Sequence, residues 1–207
     1  FQSIYDISPK TLNISQLFSN PSEQFFIPAY QRRYAWEKKQ CKELFNDVKY
    51  LLNDDSHLLG NLVCLISAHN PDINKLEIID GQQRITTLSL LLIAFRKVFE
   101  KRGRNLAEIQ KIEGYLNSSG IDRVLKNKVV LGALDNPDYI KAITETETNS
   151  ISNKKIQINL NNFIEWIDEL TEKEFDEFYY KLLNKVSIIR IDVYQAKDAY
   201  KLFETKP

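Results

Sequence analysis

The chain has 207 residues, enough for one large domain or two small ones, and its 43% hydrophobic and 27% charged content is that of an ordinary globular protein with a sizeable core. No apolar run approaches the ~20 residues of a membrane helix. The opening Phe1-Gln2-Ser3-Ile4-Tyr5-Asp6 has neither the basic head nor the apolar middle of a signal peptide.

Net charge is zero but unevenly spread. Residues 96–128 hold nine Lys or Arg against four Asp or Glu, and residues 135–180 hold four against eleven. Such asymmetry marks either a polyanion-binding face or solvated helix faces. The chain contains no Met, which implies that at least its initiator is missing. Cys41 and Cys64 lie in apolar patterns and read as reduced core residues, which fits a cytoplasmic protein. His57 and His69 have no second ligand at metal spacing, so no protein metal site is expected.

In chain order, a short apolar piece at 4–7 precedes a short helix from Ser15, which Pro21 and Ser22 break. Phe25-Phe26-Ile27 is a strand stopped by Pro28. A loop rich in arginine and aromatic residues, Ala29-Tyr30-Gln31-Arg32-Arg33-Tyr34-Ala35-Trp36, leads into a helix over 37–52 with Cys41, Leu44, Phe45, Val48, Leu51 and Leu52 on one face. Strand patterns at 58–67 and 76–79, with a turn at Asn70-Pro71-Asp72, predict a β-hairpin. A helix over 82–102 is apolar almost all round between Leu88 and Phe95 and is therefore buried. Beyond Gly103 come a helix at 106–116, a break at 117–120, a short strand at 128–131 and a helix from Pro137 to Ile143. A polar loop or linker follows at 144–155, then helices at 158–170 and 172–184, a strand at 186–193 and a last helix from about Gln195. This pattern predicts an α+β fold. Residues 1–103 with 186–207 form the core, and 104–185 an inserted helical subdomain.

Two places could carry chemistry. The first is the strand-to-helix turn Ile79-Asp80-Gly81-Gln82-Gln83-Arg84, where free backbone N–H groups and the positive end of the helix dipole attract anions. Asp80 and Gln83 alternatively approximate a capping box, and the spacing suits either reading. Capping leaves Gln82, Arg84, Thr86 and Thr87 unexplained. The second is the 30–36 loop, whose Gln31, Arg32 and Arg33 offer donors to phosphate or a base edge. Its aromatics could stack on a base, but read by themselves they favour packing against the next helix. No Gly-x-x-x-x-Gly-Lys-Ser/Thr motif is present, which excludes a Walker-type site.

Three pieces together, residues 27–36, Gly60-Asn61-Leu62-Val63 and residues 79–88, resemble the N-terminal domain of GmrSD-type modification-dependent restriction proteins, a bacterial family related to the ParB and sulfiredoxin fold. The resemblance implies a small mixed sheet with flanking helices, a nucleoside triphosphate with magnesium as an optional companion, and in several members NTP hydrolysis. It also implies an HNH-type nuclease domain, in cis or in trans, that cuts modified or foreign DNA in phage defence. Asp80 and Arg84 are then the catalytic candidates. Gln31, Arg32, Arg33, Gly81, Gln82, Gln83 and Thr87 are the nucleotide-binding ones. In this mechanism Arg84 with Arg32 or Arg33 neutralises developing phosphoryl charge while Asp80 orients water. The family usually continues Phe-Glu-Thr into Leu-Asn-x-Arg-Gly, where this sequence has Phe203-Glu204-Thr205-Lys206-Pro207. Two alternatives stand beside the NTPase. One is a non-catalytic DNA-binding sensor using the loop and residues 96–128. The other is a metal-requiring nuclease nicking DNA through Asp80 and the arginines.

Overall fold

The computed structural model describes residues 7–66 and 72–204. The apolar piece before Ile7, His69 and the turn residues Asn70 and Pro71 lie outside them. Eight strands and eight helices are present among the described residues. In chain order they are β1 (Ile7–Asn13), α1 (Ile14–Phe18), β2 (Glu23–Phe26), α2 (Lys38–Lys49), β3 (His57–Ile66), β4 (Asn74–Asp80), α3 (Gln82–Lys101) and α4 (Leu106–Leu116). There follow β5 (Asn117–Ser119), β6 (Leu125–Asn127), β7 (Val129–Val130), α5 (Asn136–Thr144), α6 (Lys154–Asp168), α7 (Glu172–Asn184), β8 (Val186–Val193) and α8 (Ala196–Glu204). The fold is α+β, as the pattern predicts.

Six strands form one mixed sheet in the order β1-β8-β3-β4-β2-β7. β3 and β4 are the predicted antiparallel hairpin, with a register irregularity at Val63/Cys64. The late strand β8 inserts between β1 and β3, antiparallel to the first and parallel to the second. β1 was not legible as a strand because Pro9 and Lys10 interrupt its apolar pattern. It stands at the sheet edge, where a proline's missing N–H costs nothing. The predicted break at 117–120 includes β5, which pairs with β6 in a separate two-stranded ribbon. The predicted 144–155 loop ends early, because Asn153 accepts from the Lys155 and Ile156 amides and starts α6 at Lys154.

Side chains alternate across the sheet, so β8 sends Val186 and Ile188 to one face and Ile189, Ile191 and Val193 to the other. The first face carries the main core, where Leu62 and Ile78 of the sheet, Leu91 of α3, Ile112, Tyr139, Phe163 and Phe178 belong to one buried cluster. Residues 104–185 therefore share a hydrophobic core with the sheet rather than closing one of their own. On the second face α8 covers a smaller cluster of Val63, Ile191, Val193 and Ala199. α3 is buried along residues 85–96, with α4, α5 and α6 packed around it, which explains why it is apolar on nearly every side. Its Phe95 and Phe99 stack with Phe175, Phe178 and Tyr179 of α7 at centroid distances of 5.0–5.6 Å.

A buried ion triad ties β8 to β2. The Arg190 guanidinium donates to both carboxylate oxygens of Glu23, at 2.8 and 2.7 Å, and to Asp192 at 2.9 and 3.2 Å. Burial works against its charge, but the two carboxylates outweigh burial and raise its pKa. The charge asymmetry of the sequence is also resolved internally. Lys101 and Arg102 pair with Asp168, Arg104 with Glu172 and Asp176, and Lys126 with Asp72 and Asp122. Arg96 and Lys97 donate to the carbonyls of Ile143 and Glu145 at the end of α5. Most of the basic stretch is thus engaged by carboxylates and by helix ends, with Lys111 and Arg123 in no ion pair among the described residues.

Candidate nucleotide site at the start of the buried helix

β4 ends at Asp80, opposite Val63, and Gly81 turns the chain in one residue at φ +93°. A Cβ on Gly81 would sit 2.7 Å from the Asn61 carbonyl oxygen and 3.1 Å from the Leu62 side chain, so both conformation and space require glycine. The sequence left a capping box from Asp80 to Gln83 open, and the structure excludes it. Gly81 itself is the N-cap and has no side chain with which to cap α3. The glycine turn keeps Asp80 on the strand and puts the helix start one residue past the box register. The first-turn N–H groups of α3 therefore have neither helical partners nor a bond from the N-cap side chain. They open on a cleft of about 460 Å³ lined by Trp36, Asp80, Gly81, Gln82, Gln83 and Arg84.

Arg84 lies along β3. It donates from Nη1 to the Asn61 carbonyl at 3.2 Å, and a Cβ on Gly60 would come within 2.9 Å of its guanidinium carbon. Gly60 (φ +141°) is thus the floor on which Arg84 rests. Gln82 donates to Gln31 Oε1 at 3.0 Å, and Gln31 donates to the Ile79 carbonyl at 3.4 Å, so two of the predicted site residues do meet. Gln83 instead stitches the 33–35 loop to the helix, accepting from the Ala35 amide at 2.7 Å and donating to the Arg33 carbonyl at 3.2 Å.

Three expectations fail. Arg33 does not converge with Arg84. Its Nε and Nη2 donate to Asp135 at 2.9 and 2.7 Å, because that buried carboxylate also takes the Tyr34 amide at 2.8 Å and Asn153 Nδ2 at 2.9 Å. Arg32 and Arg33 line a second, apolar cleft of about 580 Å³ with Ile27, Ala29 and Leu131, on the far side of Gln83. Thr87 is fully buried. Its hydroxyl donates to the Gln83 carbonyl at 2.8 Å and accepts from Tyr34, whose own oxygen accepts from Asn159 Nδ2 at 3.0 Å. It cannot touch a ligand in the cleft. Burial drives the Tyr34 hydroxyl far above its ordinary pKa, so the hydroxyl chain stays neutral.

The loop's aromatics are mostly packing groups, as the sequence favours. Tyr34 is buried and Trp36 half-buried against the core, while Tyr30 is exposed and donates to Glu77 at 3.2 Å. Asp135, Asn153 and Asn159 hold the loop in place, and nothing in their local sequence marks them out. Both cysteines are free and buried, as expected; burial pushes Cys41 up to about 12 and Cys64 higher still. Among the described residues no three His, Cys, Asp or Glu side chains gather to hold a metal ion, and His57 sits 3.6 Å from Asp47.

The family model of the GmrSD restriction endonuclease N-terminal domain matches residues 14–206. The chain belongs to this family. No curated protein matches it. The three sequence pieces that carried the resemblance now have physical places in a GmrSD N-terminal domain. The Asp-Gly-Gln-Gln-Arg turn begins the buried helix, Gly60-Asn61 seats its arginine, and the Tyr-Gln-Arg loop packs across its first turn. No helix among the described residues is long and apolar enough to cross a membrane.

Proposed function

We propose that this domain binds and hydrolyses a nucleoside triphosphate at the Gly81 turn. Hydrolysis then regulates a restriction reaction on modified or foreign DNA in defence against phage. An HNH-type nuclease domain, in cis or in trans, does the cutting. The observation that carries the reading is the uncapped N-terminus of α3, which opens on a cleft holding one arginine and one carboxylate. The free N–H groups of the first turn and the helix dipole hold phosphate oxygens. Arg84, in no ion pair among the described residues, opposes the negative charge that builds on the transferring phosphoryl group. Asp80 orients the attacking water and takes its proton as the bond from the γ-phosphorus to the bridging oxygen breaks, leaving the diphosphate and inorganic phosphate. Arg32 and Arg33 have no part in this step. Asp80 is the one carboxylate of the cleft lining, so a magnesium ion would arrive on the triphosphate with little help from the protein.

Residues 1–103 with 186–207 are the nucleotide-binding core of this reading, in a ParB/sulfiredoxin-like arrangement. Residues 104–185, mostly helical but also supplying the edge strand β7, shield α3. Two reduced, buried thiols and a DNA target fit a cytoplasmic setting. The test is turnover of radiolabelled GTP, ATP and CTP by the full-length protein and its Arg84→Ala variant. Losing one preorganised donor costs about 10²–10³ in kcat. Equal turnover by the variant, or none by a restriction-active full-length protein, refutes the mechanism.

A further inference from the structure

Four lysines occupy the first turns of two neighbouring helices. Lys38 and Lys39 open α2, Lys154 and Lys155 open α6, and neither helix has an acidic residue in its first turn. Cations there oppose the helix dipole, so fold stability does not account for them. The ion pair from Lys155 Nζ to Glu37 Oε1, at 3.3 Å, ties the two helix starts together. Lys141 of α5 joins Lys154 and Lys155 along a shallow groove that also includes Arg33. Through Arg33, Tyr34 and Leu134 this groove runs into the apolar cleft of the 30–36 loop.

Apart from that of Lys155, these ammonium groups stand in no ion pair among the described residues. Lys141 donates to the Ser150 carbonyl and Lys154 to the Gln157 side chain, both uncharged. Lys38 and Lys39 are exposed and in no ion pair among the described residues. Of the carboxylates on the same side, Asp135 is paired with Arg33 and Glu37 with Lys155, Asp138 accepts the amides of Ser152 and Asn153 at 2.9 and 2.8 Å, and Glu43 lies beside Lys38 and Lys39, so the cations outnumber the carboxylates. In residues 96–128, by contrast, Arg96, Lys101, Arg102, Arg104 and Lys126 all stand in ion pairs.

We infer that the shelf formed by the starts of α2 and α6 and by Lys141 is a track for the phosphate backbone of duplex DNA, distinct from the Gly81 cleft. The inference rests on the reading of this family member as part of a DNA-acting restriction system, which selects DNA among polyanions. Lysines on helix starts act as point charges toward phosphate, so the track confers affinity without base specificity.

The experiment is fluorescence anisotropy of a 20-base-pair duplex with the full-length protein, without nucleotide, from about 50 to 300 mM salt. The K38Q/K39Q/K141Q/K154Q variant is compared with K111Q/R123Q, which removes two cations elsewhere. The shelf variant should lower the slope of log affinity against log salt by about 3–4 and weaken binding at least about tenfold at 0.1 M salt. The control should change neither, and both variants should melt with the wild type. Equal effects of the two variants, or no duplex binding by the wild type, overturn the inference. Tighter, shelf-dependent binding of a 20-nucleotide RNA overturns the assignment to duplex DNA. Basal NTP turnover by the shelf variant should equal the wild type's, so a failed track and a failed Gly81 mechanism give different results.

Discussion

Asp135 is the pin of the 30–36 loop, and removing its carboxylate tests whether the loop is held as described. Four donors converge on it, namely Arg33 Nε and Nη2, the Tyr34 amide and Asn153 Nδ2, all within 2.9 Å. In Asp135→Ala the buried Tyr34 N–H loses its acceptor, at about 1–3 kcal/mol. Arg33 is 55% exposed and can rehydrate, so its pair adds at most about 1 kcal/mol. Asn153, half-buried, adds a similar or smaller amount. The sum is about 3 kcal/mol, equivalent to a fall of about 6–12 °C in melting temperature for a domain of this size. Asp135→Asn keeps one acceptor oxygen and should cost roughly half as much. Urea unfolding of the three proteins, with m-values compared, measures this directly. A cost below about 0.5 kcal/mol for Asp135→Ala would mean that the loop is fixed by packing of Tyr34 and Trp36 alone, and that Arg33 is free to swing elsewhere.

Gly81→Ala should destabilise by about 1–3 kcal/mol, since alanine must adopt φ +93° and its Cβ meets the Asn61 carbonyl. A melting temperature equal to the wild type's would show that the turn can reshape. Lys128 is fully buried, and desolvation lowers its pKa from 10.5 to about 8, with the Glu23 charge a smaller opposing influence. The unfolded chain therefore holds this proton more tightly than the fold, and stability contributed by the site rises with pH from about 8 to about 10.5. Wild type minus Lys128→Met should show that rise, about 1–3 kcal/mol, in denaturation curves across the window. A flat difference would mean that the Asn20 and Glu23 carbonyls hold the ammonium charged in the fold.

Local pattern determined much of this protein. The 3.6-residue period placed most helices, and apolar runs bounded by turn residues placed the β3–β4 hairpin and β8. The all-round apolarity of residues 88–95 announced that α3 would be buried. Glycine at position 81 announced a turn that other residues would strain. Tertiary structure decided the rest, because the deciding partners are far apart in the chain. Arg33 and Asp135 are 102 residues apart, and Tyr34 and Asn159 are 125 apart. A guanidinium in a loop reads the same whether it will face a phosphate or a buried carboxylate, and Thr87 reads the same whether its hydroxyl meets a ligand or Tyr34. β1 was invisible for a related reason: its strand character comes from pairing with residues 187–193, not from its own alternation. Sequence specified where a strand turns through glycine into the buried helix, the place proposed here to receive phosphate. The packing of distant helices decided which arginine stands beside that place and which is turned away.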